Sequence, residues 1–513
     1  MVFSSNVFLL YFMPGFFLLY FLLPKKARNY ALLFASLLFY AWGAPDFLIQ
    51  LVVSTIANFY LVKAMVAAKE TENASLSKLL CGLSIAIPIG LLVFYKYANF
   101  FTENLFWLLG RLGYSQFSVF RSPFSKILLP IGISFFSFQS VTYTLDTYRG
   151  VNQPMKKLSD YMLYITMFPQ LIAGPIVRYC DVADQIRHRE SGYADRLQGF
   201  YRFVIGLCKK ILIADVIGME VDAILGPANL SALSAERLAT LTERIAMLDS
   251  TTAWMVALAY TFQIYFDFAG YSDMAIGLGR IMGFKFPENF NNPYVSKSIT
   301  EFWRRWHITL GAFIKNYLYL PLGGNRKGKA RTYLNLWICF LLSGLWHGAS
   351  WNFVVWGALH GLFICLDKIF NGKRNPEGLT DRMGGKTENG KFSVLRSPFS
   401  VLLTFLFVTV TWMVFRIEKL DLAWTFIGRM FAFQFAPLPF SLNPRFYVTL
   451  LLAAIFSFVT LTKAGRKLQD SVYNHEFTDR QHIFVWILSM AAFLFCIAAL
   501  NASRFSPFIY FRF

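Results

Sequence analysis

The sequence predicts an all-α fold: a polytopic membrane bundle of helices, some of them short, broken or re-entrant. Three observations predict it. First, hydrophobic residues make up 56% of the 513-residue chain and charged residues only 15%. Soluble domains carry about 25% charged residues, so there is too little polar surface to coat several globules, and disorder is excluded on the same ground. Second, apolar runs recur from one end of the chain to the other, separated by short polar stretches. Third, 49 Lys and Arg against 29 Asp and Glu give a net charge of +20. On so apolar a chain that excess belongs to basic loops beside anionic membrane lipid, not to a nucleic-acid surface. One membrane domain is expected to fill residues 1–513.

The first run, Val7–Leu23, lacks a basic leader and a small-x-small cleavage site and reads as a retained span. Lys25, Lys26 and Arg28 follow at once. The positive-inside rule places them in the cytoplasm and the N-terminus outside. Further runs follow at Ala31–Trp42, Phe47–Val62, Leu79–Tyr95, Ile127–Tyr143, Met162–Val177, Ala253–Met282, Tyr333–Ala349, Phe353–Phe370, Val401–Phe415, Val448–Leu461 and Ile483–Leu500. Several are shorter than the ~20 residues a perpendicular span needs, and Pro130, Pro169, Gly174 and Pro175 interrupt others. Broken helices persist at membrane depth only where protein or a wet cavity satisfies the freed backbone. That pattern fits a machine with a polar interior better than an anchor. Residues 64–78 and 371–398 read as solvated loops.

The segment SKSITEFWRRWHITLGAFIKNYLYLPLGGNRKGK, from Ser296, stands out. Ser298 and Glu301 have capping-box spacing, so a helix is expected to start there. Trp306, Leu310, Phe313 and Tyr317 recur at i, i+4, i+7 and i+11 along it, with Arg304, Arg305, Lys315 and Asn316 as polar neighbours. One continuous helix with an aromatic face and cationic residues suits a membrane interface or the wall of a wet cavity. His307 sits on it. Arg326, Lys327, Lys329 and Arg331 then form the densest basic loop, expected in the cytoplasm.

His347 lies sixteen residues beyond Arg331, about 24 Å along a straight helix. An ionisable residue at such depth is by default a functional hypothesis. Ser343 and Gly344, at i−4 and i−3, are expected to leave room beside its imidazole. His360 reads as a buried, hydrogen-bonded core histidine, and His188, His475 and His482 as solvated. Gln263, Asp267 and Asp273 interrupt the apolar run that starts at Ala253. The two carboxylates either pair structurally, with Arg304 and Arg305 as natural partners, or help bind substrate.

There is no Walker A loop, no H-E-x-x-H and no G-x-S-x-G elbow in the sequence. The six cysteines are scattered without C-x-x-C spacing and read as packing residues. No metal site is expected.

With these residues in hand, the chain resembles the membrane-bound O-acyltransferase family. The segments that carry the resemblance include LLPIGISFFSFQS at 128–140, FPQLIAGPIVR at 168–178, YFDFAGYSDMAIGLG at 265–279, ENFNNPYVSKSITEFWRRWHITL at 288–310, LLSGLWHGASWNFVVWGALHG at 341–361 and the tail FSPFIYFRF. One departure is Gln170, where a histidine is expected. The resemblance implies helices around a central tunnel and His347 of Trp346-His347-Gly348 as the essential catalytic residue. It also implies His307 as the second catalytic histidine. Arg304, Arg305, Trp346, Asp267, Asp273 and Gln263 are the expected substrate-binding residues.

No bound cofactor is implied. The donor substrate would be acetyl-CoA or another acyl thioester, such as one on an acyl carrier protein. It further implies a bacterial inner-membrane location, a polysaccharide acceptor and an extracytoplasmic acetyltransferase-like partner protein. Three activities are open: O-acetylation of an exported polymer such as alginate or cellulose, O-acetylation of peptidoglycan, and D-alanylation of teichoic acid. A proton-coupled transporter is the alternative from another class, but it would require inverted repeats, which the sequence does not display.

Overall fold

The computed structural model describes residues 2–114, 128–230, 233–371, 398–438, 442–473 and 477–502. Among these, helices account for every regular element. Six are long and apolar enough to cross a membrane: Pro45–Glu70, Ala74–Arg111, Trp351–Phe370, Pro398–Arg416, Pro444–Leu461 and Asp479–Ala502. The chain is thus an all-α, multi-pass membrane protein, as its composition predicts. The tail from residue 503, His475 and the stretch 372–397 lie outside the described residues.

Helix starts follow local chemistry. Asn73, Ser234, Ser298 and Asn443 each accept a backbone N–H of the first turn that follows, at 2.9–3.4 Å, satisfying donors a helix cannot satisfy itself. The solvated loop expected over 64–78 is mostly helix, because Leu48–Glu70 runs on through its Ala-, Met- and Lys-rich end and Ala74 opens the next helix after a turn. Good helix formers extend the element past the apolar run.

The chain divides into two compact units. One comprises Met1–Ile211, Phe268–Glu288 and Phe477–Phe511. Its centre is Phe168, whose ring lies 5.3–6.4 Å from those of Phe3, Phe8, Phe12, Phe16 and Phe39. Gln170, in the short Phe168–Leu171 helix, is buried and donates to the Tyr164 carbonyl. His482, expected to be solvated, is buried because Tyr201 packs on its ring and donates to its carbonyl at 2.9 Å. His188 is exposed, as expected. Helix Tyr193–Cys208 crosses the 268–281 portion of helix Ser250–Ile281 at two glycine pairs. A Cβ on Gly199 would meet Gly277 O at 2.7 Å, and one on Gly206 would meet Gly270 O at 2.5 Å. No side chain fits there, so the backbones touch.

The other unit comprises Leu212–Asp267 and Asn289–Glu476. Its helices Gly328–His347 and Trp351–Asn371 pack against each other at Gly344 and Gly357. A Cβ on Gly344 would overlap the Phe353 carbonyl and lie 3.2 Å from Gly357 Cα. Gly344 therefore does not leave the expected room beside His347. The partner helix takes that space.

Candidate active site

The second unit brings the two expected catalytic histidines around one indole. Trp346 lies 4.8 Å from the ring of His347 and 5.8 Å from that of His307, centroid to centroid. All three side chains are buried. His347 is the last residue of its helix, and the chain turns at Gly348. There the Phe353 ring occupies the space a side chain would need. The His347 imidazole is walled by Trp356 and Phe415, each 5.2 Å away and near perpendicular.

The continuous helix expected from Ser298 through Tyr317 is broken. Helix Ile299–Arg305 ends at Trp306, and Ile308–Ile314 begins after His307, whose φ is +45°. A left-handed conformation at a non-glycine residue costs free energy and persists only when its surroundings enforce it. Asn289 does so here. Its carbonyl oxygen accepts from Ile308 N at 2.9 Å, and its Oδ1 accepts from Thr309 N at 3.4 Å and Thr309 Oγ1 at 2.8 Å. The same Oδ1 lies 2.9 Å from His307 Nδ1. Because Oδ1 already accepts from a backbone N–H, the atom is the amide oxygen, and His307 Nδ1 is the donor to it. In the neutral imidazole the lone pair is therefore on Nε2.

The break also changes the expected interfacial face. Trp306 is buried in an aromatic core, 4.9 Å from Trp412, 5.1 Å from Phe290 and 5.5 Å from Phe302. His360 is held at both nitrogens: Trp303 Nε1 donates to Nδ1 at 3.2 Å, and Thr411 Oγ1 lies 3.1 Å from Nε2. That is the satisfied core histidine expected of it, though its ring also packs 4.9 Å from Trp356.

The expected substrate-binding residues are dispersed. Arg304 is exposed. Arg305 is tied to Glu301 at 2.8 Å and to the Asn291 carbonyl at 3.2 Å. Gln263 is buried, with its amide against Gly218. Asp267 is buried in the same unit. Asp273 belongs to the other unit, and the expected pairing with Arg304 and Arg305 is overturned. Its carboxylate takes Arg202 at 2.6 Å and Lys209 at 2.6 Å, while Arg202 also reaches Glu288 at 2.7 Å. The glycine crossing sets the two helices close enough for these contacts. Among the described residues no group of three or more His, Cys, Asp or Glu could hold a metal.

Sequence reasoning missed Asn289, Trp356 and Phe415. Asn289 lies in the segment 288–310 that carries the family resemblance, but nothing local marks it as the residue that sets His307.

The family model described as MBOAT, membrane-bound O-acyltransferase family, matches residues 88–379, a stretch that contains both histidines and Trp346. The chain belongs to the membrane-bound O-acyltransferase family. It is an O-acyltransferase. Its similarity to a probable alginate O-acetylase of Pseudomonas putida extends over the whole length of both chains at 38% identity. A peptidoglycan O-acetyltransferase of Helicobacter pylori is 34% identical over 82% of this chain and 78% of its own. A teichoic acid D-alanyltransferase of Bacillus subtilis is 27% identical over 48% of this chain and 61% of its own.

Proposed function

We propose that this O-acyltransferase moves an acetyl group from a cytoplasmic thioester donor toward a hydroxyl of an exported cell-surface polysaccharide, through an extracytoplasmic acetyltransferase-like partner. The observation that carries the reading is the full-length similarity to an alginate O-acetylase, with His347 and His307 held around Trp346. His347 takes the proton of the attacking hydroxyl. The new C–O bond forms as the C–S bond breaks, and the proton passes on to the leaving thiolate. A neutral imidazole does this without burying a net charge before the reaction. The aromatic wall of Trp346, Trp356 and Phe415 keeps water from competing with the acceptor. The donor is acetyl-CoA or an acyl carrier protein thioester, and the N-terminus and the 326–331 loop face opposite sides of a bacterial inner membrane.

Deleting the gene in its host and measuring acetyl ester on exopolysaccharide and on peptidoglycan tests the reading. Loss from the exopolysaccharide alone is expected. Loss from peptidoglycan alone would favour the second reading, to which the peptidoglycan O-acetyltransferase similarity points.

A further inference from the structure

His360 makes two hydrogen bonds, and its neighbours dictate their directions. An indole N–H only donates, so Trp303 Nε1, 3.2 Å away, makes His360 Nδ1 the acceptor. The proton of the neutral imidazole is therefore on Nε2. Thr411 Oγ1 donates its own proton to the Val408 carbonyl at 2.9 Å and, 3.1 Å from Nε2, accepts the one there. Trp303, His360 and Thr411 thus form a chain with one permitted set of proton positions. It ties together helices Ile299–Arg305, Trp351–Asn371 and Pro398–Arg416.

Trp303 lies one turn before His307 in the chain. Its helix has seven residues, too few to hold a position unaided, so its placement comes from what grips it. Helix Trp351–Asn371 grips it at both ends. At the start, Asp367 accepts from Thr300 N at 3.2 Å and from the Thr300 hydroxyl. At the last turn, His360, two turns before Asp367, takes the Trp303 N–H. The left-handed corner at His307 follows directly. Asn289 fixes His307 and the turn beyond it; Asp367 and His360 fix the turn before. The grip also reaches His347. The ring of Trp356, one turn before His360, is 4.9 Å from that of His360 and 5.2 Å from that of His347. One side chain therefore touches both the residue that carries His307 and the residue that walls His347.

We propose that His360 is a positioning residue for acyl transfer: its Nδ1 holds the Trp303 indole N–H and so sets the corner at which His307 faces Trp346. The inference rests on the reading above, in which His347 and His307 serve the reaction. His360 itself takes no part in the chemistry. Its worth lies in placement, and a misplacement of about 1 Å costs roughly 10²-fold in rate.

Two substitutions separate the bonds of the ring. Asn ends where Nδ1 was and Gln reaches where Nε2 was, so His360→Asn keeps an acceptor for Trp303 and His360→Gln keeps the donor to Thr411. Both lose the ring, and a histidine that merely filled space would respond alike to the two. Host cells lacking their own copy carry each variant, and acetyl ester on exopolysaccharide and peptidoglycan is measured per molecule of membrane protein. It should be about tenfold or more higher with His360→Asn than with His360→Gln. In the Trp303→Phe background, where the donor is gone, the two should become equal. Equal ester with Trp303 present, more ester with His360→Gln, or a difference that persists in the Trp303→Phe background would overturn the assignment. If neither variant reaches the membrane, Trp303→Phe decides alone: about tenfold less ester than wild type is expected, and wild-type ester overturns the assignment. Wild-type ester from His347→Ala would sink the reading of the site itself, whatever the His360 variants do.

Discussion

His347 and Trp356 meet edge to face, their ring centroids 5.2 Å apart and their planes at 90°. Trp356 stacks in turn on Trp412 at 5.6 Å, so the imidazole is aimed by a rigid aromatic column. His347→Ala or His347→Gln should lower polymer acetylation 10²–10⁴-fold, the usual worth of a positioned acid–base group, with the protein still present in the membrane at wild-type level. Acetyl ester on purified polymer, normalised to the amount of membrane protein, is the measurement. Near-normal ester content would remove His347 from the base role.

The backbone at His307 makes a distinct prediction, because φ is +45° there. His307→Asn and His307→Gly tolerate that conformation, whereas His307→Ala is strained by roughly 1–2 kcal/mol. All three should lose transfer, and the alanine variant should melt earlier in detergent than the glycine and asparagine variants. Asn289→Ala should resemble His307→Ala in stability, since it orphans Thr309 as well as Nδ1. A melting temperature equal for all three His307 variants would show that the left-handed turn carries no strain.

Asp273 should prove structural. Asp273→Asn leaves Arg202 and Lys209 facing a buried amide, and breaking one partner of such a pair costs about 3–5 kcal/mol. Thermal unfolding should shift down in step with any loss of activity. Loss of activity at unchanged stability would instead return Asp273 to a substrate role.

For the arginines, charge reversal separates two environments. Arg305→Glu places two carboxylates at i and i+4 with Glu301 and removes the tie to Asn291, two residues beyond Asn289. We expect it to lower activity sharply. Arg304→Glu acts on an exposed side chain and should lower activity through the donor KM, more than Lys327→Glu or Lys329→Glu does. Equal losses at all four positions would point to general surface charge.

Much of this architecture was legible in the sequence, for physical reasons that also explain the misses. Apolar runs such as Phe353–Phe370 and Val401–Phe415 mark helices because a helix alone satisfies its backbone without water. The meeting of Trp346, His347 and His307 was accessible through motifs. The break at His307 was not, because Ser298, Glu301 and the i, i+4 spacing all fit an unbroken helix. The residue that overrides them, Asn289, lies eighteen positions upstream. Arg202 lies 71 residues from Asp273, so Arg304 and Arg305 looked nearer only along the chain. In the sequence Gly344 promises open space, although a glycine on a helix face equally marks where another backbone arrives.

The paired glycines of the first unit carry one more implication. Gly199 and Gly206 are seven residues apart, as are Gly270 and Gly277, and they meet in opposite order, Gly199 with Gly277 and Gly206 with Gly270. Two notches cut at equal spacing on antiparallel rods act as a vernier. Sliding helix Tyr193–Cys208 by a single residue would drive Gln198 or Phe200 into a gap that admits only hydrogen, so intermediate settings are forbidden. The crossing has one permitted setting, and the Asp273, Arg202 and Lys209 cluster is indexed by it.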